Sequence, residues 1–286
     1  MSITLDRSRL VFQKTERALL RLASGQSTES VHSFRTTSRR LQTLLEQLLP
    51  ERDRNQKKLL KMLNRIRRRA GKVRDLDVQL AALRSLKVPQ EPRRKTQLMH
   101  GLIELRGKQE KKLRKMLTKD VTRELRRRLK RGSKDFRPET SRDALSVARS
   151  MLREVVRPAG PVSEDVLHQY RTVVKRARYA AEFAPKSTEA TQFITQVKSL
   201  QDAVGNWHDW LTLTRAAASR LGDVDQSSLV AALHNVTGGK FRHAVAALSS
   251  SLTPQSVVKP DPISPEPSRK VSTKSPTLVE RIESAA

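Results

Sequence analysis

The chain has 286 residues, with 58 Lys and Arg against 29 Asp and Glu, a formal net charge of +29, 36% hydrophobic residues, 3% aromatics and no cysteine. The missing cysteine excludes a disulfide scaffold, a thiolate zinc site and a cysteine nucleophile, and accords with a reducing cytoplasm. Like charges at this density repel one another, so the balance points to a polyanionic partner.

Read in chain order, the N-terminus "MSITLDRSRLVFQKTERALL" has no basic segment followed by an apolar one, so it is not read as a secretory signal. Nor does any apolar run approach the roughly 18 residues that cross a bilayer. "RLVFQKTERALLRLA" shows helical apolar spacing. In "RNQKKLLKMLNRIRRRAGKV", Leu59, Leu63, Ile66, Ala70 and Val73 make one apolar stripe, with Lys61, Arg65, Arg68 and Lys72 on the far side. Breaks are expected at Pro50, Lys87–Pro92, Arg131–Pro138, Arg157–Ser163, Pro185, Gly222 and the "TGGK" around Gly238. No stretch alternates with period two, which predicts an all-α fold of about ten helices. The break at 131–138 divides the body into halves of about 8–131 and 139–251. From Glu51 to Arg131 there are 29 basic residues against 9 acids, whereas the stretch after Ser251 has 5 against 4. The positive field therefore belongs to the body, and 252–286, rich in Pro, Ser and Lys, is expected to be a disordered tail.

The halves repeat one another. "VHSFRTTSRRLQTLLE" begins at Val31 and "LHQYRTVVKRARYAAE" at Leu167, 136 positions apart. "AGKVRDLDVQL" at Ala70 and "VGNWHDWLTL" at Val204 align Gly71 with Gly205 and Asp75 with Asp209, an offset of 134. Two matched blocks at nearly one offset predict two similar helical bundles related by a pseudo-twofold axis. On a helix, His32, Arg35 and Arg39 share a face, with Arg40 beside them; His168, Arg171 and Lys175 do the same, flanked by Arg176 and Arg178. Ser27 or Ser30 would start the first helix and Ser163 the second, so an anion there would also feel a helix N-terminus. If the two stripes face each other they line one basic channel, with donors enough for a chain of phosphates. Gly71 and Gly205 are expected to end or kink a helix, and Asp75 and Asp209 to cap or charge-stabilise the start of the next one.

The four segments "VHSFRTTSRRLQTLL", "AGKVRDLDV", "LHQYRTVVKRARYAAEF" and "LQDAVGNWHD" resemble the CHAD family, the conserved histidine α-helical domain, over roughly residues 8 to 250. The resemblance implies two pseudo-symmetric helical halves around a central basic cavity that binds inorganic polyphosphate. It also implies association with polyphosphate granules and their proteins. Position by position it nominates His32, Arg35, Arg39, Arg40, His168, Arg171, Lys175, Arg176 and Arg178, with Arg74 from the family-like "RDLD". Lys61, Arg65, Arg68 and Lys72 rest on helical phase alone. Trp207-His208-Asp209 departs from the small or acidic segment more usual in the family, so His208 receives no role.

Motifs for catalysis are missing. "TGGKF" lacks the first glycine of a phosphate-binding P-loop and has Phe241 where Ser or Thr would hold magnesium. No His-Glu-x-x-His or Gly-x-Ser-x-Gly is present, and Asp75 and Asp77 are expected to pair with neighbouring arginine rather than hold a cation. The expectation is a binding protein without enzymatic activity, metal or cofactor. The competing reading is binding to nucleic-acid backbones, which the run "TRELRRRLKRGSK" would suit but the scarcity of aromatics to stack bases does not. If His32 and His168 contact phosphate, affinity is expected to rise as pH falls toward 6.

Overall fold

A computed structural model describes residues 5–87, 92–137, 141–155, 160–222 and 224–252. The chain divides into two units, 1–253 and 254–286, and every described element lies in the first. The tail expected at 252–286 falls, beyond Leu252, outside the described residues.

All described elements are helical. In order they are α1 (Leu5–Ser24), α2 (Thr28–Thr43), a π-helical turn (Leu44–Leu48), α3 (Arg54–Ser85), α4 (Pro92–Met116), α5 (Lys119–Asp135), α6 (Ala144–Arg153), α7 (Glu164–Ala181), α8 (Thr188–Leu221), a 3-10 turn (Val224–Gln226) and α9 (Ser228–Leu252). The described residues thus hold nine α-helices where about ten were expected. No described helix is long and apolar enough to cross a membrane.

Short polar side chains set the starts. Ser27 caps α2 by accepting from the Ser30 amide, and Ser163 caps α7 by accepting from Val166. Asp53 and Gln56 form a reciprocal capping box at α3. Gly222, at φ 87°, ends α8 in a conformation that a side chain would strain. Three expected breaks prove continuous. Helix α3 runs through Gly71, α8 through Gly205 and α9 through Gly238, because the apolar face on each side of these glycines stays in phase and packing outweighs the local propensity cost. Helix α5 likewise extends to Asp135, into the stretch expected to break from Arg131. A boundary the sequence reading did not anticipate falls at Leu117–Thr118, where Thr118 caps α5.

The core is aliphatic. Its largest part joins Phe12, Leu19 and Leu22 of α1, Phe34 and Leu41 of α2, Leu59 and Leu63 of α3, and Leu125 and Leu129 of α5. A second part gathers Leu167, Tyr170 and Val174 of α7 with Val204, Trp207 and Leu211 of α8 and Leu248 of α9. A third closes the far ends of α3, α4, α8 and α9. What matters for function is the seam between these parts: α2 packs on α7, and α3 on α8. The helices carrying equivalent repeat motifs therefore meet.

Candidate functional site

A cleft of about 490 Å³ opens along that seam. Helix α2 contributes Arg35 and Arg39, α3 contributes Arg67, Arg68 and Lys72, and α7 contributes Arg171, Lys175 and Arg176. Against these eight cations the lining has two carboxylates, Glu46 and Asp75. Such a concavity focuses positive potential and attracts anions.

The repeated Gly-x-x-x-Asp block explains how α3 and α2 meet here. A Cβ at position 71 would overlap Nη1 of Arg35, so glycine lets the guanidinium lie across the α3 backbone. One turn on, Asp75 Oδ1 stands 3.7 Å from Arg35 Nη2. In the other half the charge of Asp209 acts on Arg171 in the same sense. The two aspartates are not helix caps, as expected from sequence, but partial counter-charges to the arginine of the facing helix. Gly205 has no such neighbour, since nothing approaches its Cβ position within 4 Å. Asp77 is buried and accepts from Arg106 Nε at 2.8 Å. Both aspartates pair with arginines distant in sequence rather than with Arg74.

The cations are held at an electrostatic cost. Burial, and then the charges of Arg171 and Arg39, push the Lys175 ammonium down to about 7. Burial lowers Arg35 and Arg171 also, against the opposing pull of Asp75 and Asp209 respectively. Arg67, donating to Gln42 and to Asn64 Oδ1, is pushed down to about 10, chiefly by burial and then by Arg39. Burial raises the Asp209 carboxyl despite Arg171 and Lys175 nearby. Nε of Arg171 and Nδ1 of His208 are buried and have no hydrogen-bond partner among the described residues. His208 lines the cleft and is held neutral, pushed down to about 3 by burial and the charge of Arg171.

Of the residues nominated from sequence, Arg35, Arg39, Arg68, Lys72, Arg171, Lys175 and Arg176 come together in this lining. The others do not. His32 is exposed near the start of α2 and is lowered by desolvation, then by Arg74. His168 packs with its ring centroid 5.0 Å from those of both Trp207 and His208, tilted against the first and edge-on to the second, and lines a neighbouring depression that shares Gln47, Thr172 and Arg176 with the cleft. The cleft lies beyond the first turns of α2 and α7, so the helix N-termini do not form it. Lys61 and Arg65 are solvent-exposed one to two turns before the cleft, because a 32-residue helix passes it only in its middle. Arg74 is half-buried outside the lining. Arg40 and Arg178 converge on Glu182, at 2.6 Å and 3.0 Å, and both lie over the Tyr179 ring.

That last arrangement ties α2 to the end of α7. Its hydrogen bond to Glu182 raises Arg40 above its ordinary value. Glu182→Ala would leave two part-buried guanidinium groups short of an acceptor. The expected loss is about 2–4 kcal/mol, read as a shifted urea midpoint. A loss below about 0.5 kcal/mol would show that the bridge does not hold the seam.

Sequence reasoning missed Arg67, Gln42, Thr43, Glu46, Gln47, Tyr179 and His208 in the lining. The signal for Arg67 was present: it precedes Gly71 by four residues, and Asp75 follows by four, so the three share a face. The signal for Glu46 was its match to Glu182 in the repeat.

Comparison with known proteins bears on this architecture. A model of the CHAD domain matches residues 6–218. The fold superposes on the crystal structure of the CHAD domain from the plant Ricinus communis with a TM-score of 0.62 at 16% identity, covering 87% of this chain and 92% of that one. No curated protein matches the sequence. With its paired motif helices, its all-α fold and a family match over most of its length, the chain belongs to the CHAD domain family.

Proposed function

We propose that the cleft binds inorganic polyphosphate and that the protein is a binding module without catalytic activity, serving at polyphosphate granules in the cytoplasm and meeting their proteins there. The observation that carries this reading is the set of half-buried, under-compensated cations Arg35, Arg171 and Lys175 in a lining of eight cations and two carboxylates. A single phosphate needs two or three donors. A row of eight distributed over three helices matches a ligand with a negative charge on every repeating unit. Ligand oxygens would also supply acceptors for Arg171 Nε.

Nucleic acid is the lesser reading. The aromatic rings in the lining are Tyr179, already covered by two arginines, and His208, held edge-on against His168 and Trp207, which leaves little platform on which bases could stack. On α5, Arg123, Arg126, Arg127 and Arg131 each pair with a nearby acid. Competition decides between the two. At equal phosphate concentration, long-chain polyphosphate is expected to resist displacement by duplex DNA or RNA; displacement by either would overturn the proposal.

Gly71 supplies a further check. Gly71→Ala raises helix propensity by roughly 1 kcal/mol but drives Arg35 from its seat. The expected variant is folded, at least as stable as the parent, and about tenfold weaker for polyphosphate in an equilibrium titration.

A further inference from the structure

A second cavity, of about 530 Å³, lies between α8 and α9 and shares no lining residue with the basic cleft. Its size falls within the roughly 300–1,000 Å³ typical of small-molecule sites. Its apolar wall is Phe241 and Ala218, with the buried Trp207 and Leu211 behind them and the Trp207 and Phe241 rings 6.0 Å apart and edge-on. Nε1 of Trp207 is buried without an acceptor among the described residues. At the rim, Arg215 pairs with Glu164 at 2.8 Å, whereas the exposed Arg242 makes no ion pair with a described residue.

Gly238 forms part of the wall. It belongs to the "TGGK" sequence that neither breaks α9 nor acts as a P-loop. Two adjacent glycines inside a helix weaken it relative to alanine. Packing does not demand the first of them: a Cβ there would meet only Nη1 of Arg242, at an ordinary 3.7 Å. Glycine at 238 therefore keeps space open inside the cavity rather than admitting a neighbouring helix. All of α9 also lies beyond the segment that matches the family, which ends at 218.

We infer that the α8–α9 cavity is a binding site for a small amphipathic anion, its apolar body seated against Phe241 and Ala218 and its anionic head at Arg242. The charge complementarity is specific to an anion, because the one rim carboxylate, Glu164, is already engaged by Arg215. This site is independent of polyphosphate binding in the cleft.

The fluorescent anion 1-anilinonaphthalene-8-sulfonate and its uncharged relative N-phenyl-1-naphthylamine test it on the full-length chain. One saturable sulfonate site is expected, with energy transfer from tryptophan. Binding should persist in excess polyphosphate and in the Arg35→Ala/Arg171→Ala protein. Gly238→Leu should weaken both probes at least tenfold. The exposed substitution Arg242→Glu, which leaves the core untouched, should weaken the sulfonate at least fivefold and spare the neutral probe. Absence of a saturable site, displacement by polyphosphate, or indifference to both substitutions would overturn the inference without touching the cleft.

Discussion

The double variant Arg35→Ala/Arg171→Ala is expected to lose polyphosphate affinity by on the order of a hundredfold or more while remaining folded. Each guanidinium lies in the cleft lining, and the acids near it answer its charge only partly: Asp75 at 3.7 Å for Arg35, and Asp209 with a smaller contribution from Asp75 for Arg171. A charge-assisted hydrogen bond contributes about 1.5–3 kcal/mol, so two lost contacts reach that fold-change. Because burial already disfavours both charges, their removal also relieves strain in the free protein, and stability should hold or rise. Salt dependence supplies a second reading. By analogy with nucleic acids, each lost phosphate contact lowers the log–log slope by about 0.7 to 0.9, so the double variant should be shallower by roughly 1.4 to 1.8. Lys61→Ala/Arg65→Ala removes the same number of charges from the solvent face and should cost twofold or less. Equal losses from the two double variants would mean that overall charge, not the cleft, binds the ligand.

Lys175 carries the second large effect, and it has two opposite signs. In the free protein the ammonium is pushed down to about 7, whereas an ordinary lysine, as in the unfolded chain, lies near 10.5. Between these values the unfolded chain holds more protons, so stability increases as pH rises from 7 toward 10.5. Below pH 7 the destabilisation is complete. Lys175→Met should therefore stabilise the free protein at pH 7, by on the order of 2–4 kcal/mol once residual solvent screening is allowed for, or about 5–10 °C in melting temperature. That advantage should shrink as pH approaches 10.5.

Binding runs the other way. Polyphosphate restores the Lys175 charge, so complex formation takes up a proton above pH 7. Wild-type affinity should be level below pH 7 and fall by up to tenfold per unit above it, measured with long chains whose internal phosphates stay ionised. The groups acting on Lys175 are Arg171 on its own helix, Arg39 and Arg35 from α2, and Asp209 from α8. His208 titrates at about 3, outside the range, and neither His32 nor His168 lines the cleft. The pH dependence expected from sequence for the two repeat histidines is thus reassigned to a lysine, and its window moves from near 6 to above 7. A wild-type affinity constant from pH 6.5 to 9, or a Lys175→Met protein that keeps the wild-type profile, would refute the assignment.

Sequence alone determined a great deal here. Helical apolar spacing without period-two alternation dictated an all-α chain, since periodicity follows directly from backbone geometry. The capping residues Ser27 and Ser163 were visible because a cap acts within three residues. The repeat offset was visible too, and with it the pairing of Arg35 with Arg171 and of Asp75 with Asp209 as equivalent positions. Only the tertiary structure decided which cations share a concavity. Helical phase assigned Lys61, Arg65, Arg68 and Lys72 to one stripe, but the cleft opens only along the middle of α3, from Arg67 to Asp75, so Arg68 and Lys72 enter it while Lys61 and Arg65 remain in solvent. The same holds for Arg40 and Arg178, identical in pattern to their neighbours yet engaged by Glu182, which lies one turn beyond Arg178 at the end of its own helix and 142 positions from Arg40. Whether a guanidinium is free for a ligand depends on the one acid that reaches it, and that is a property of how helices cross rather than of any local run of residues.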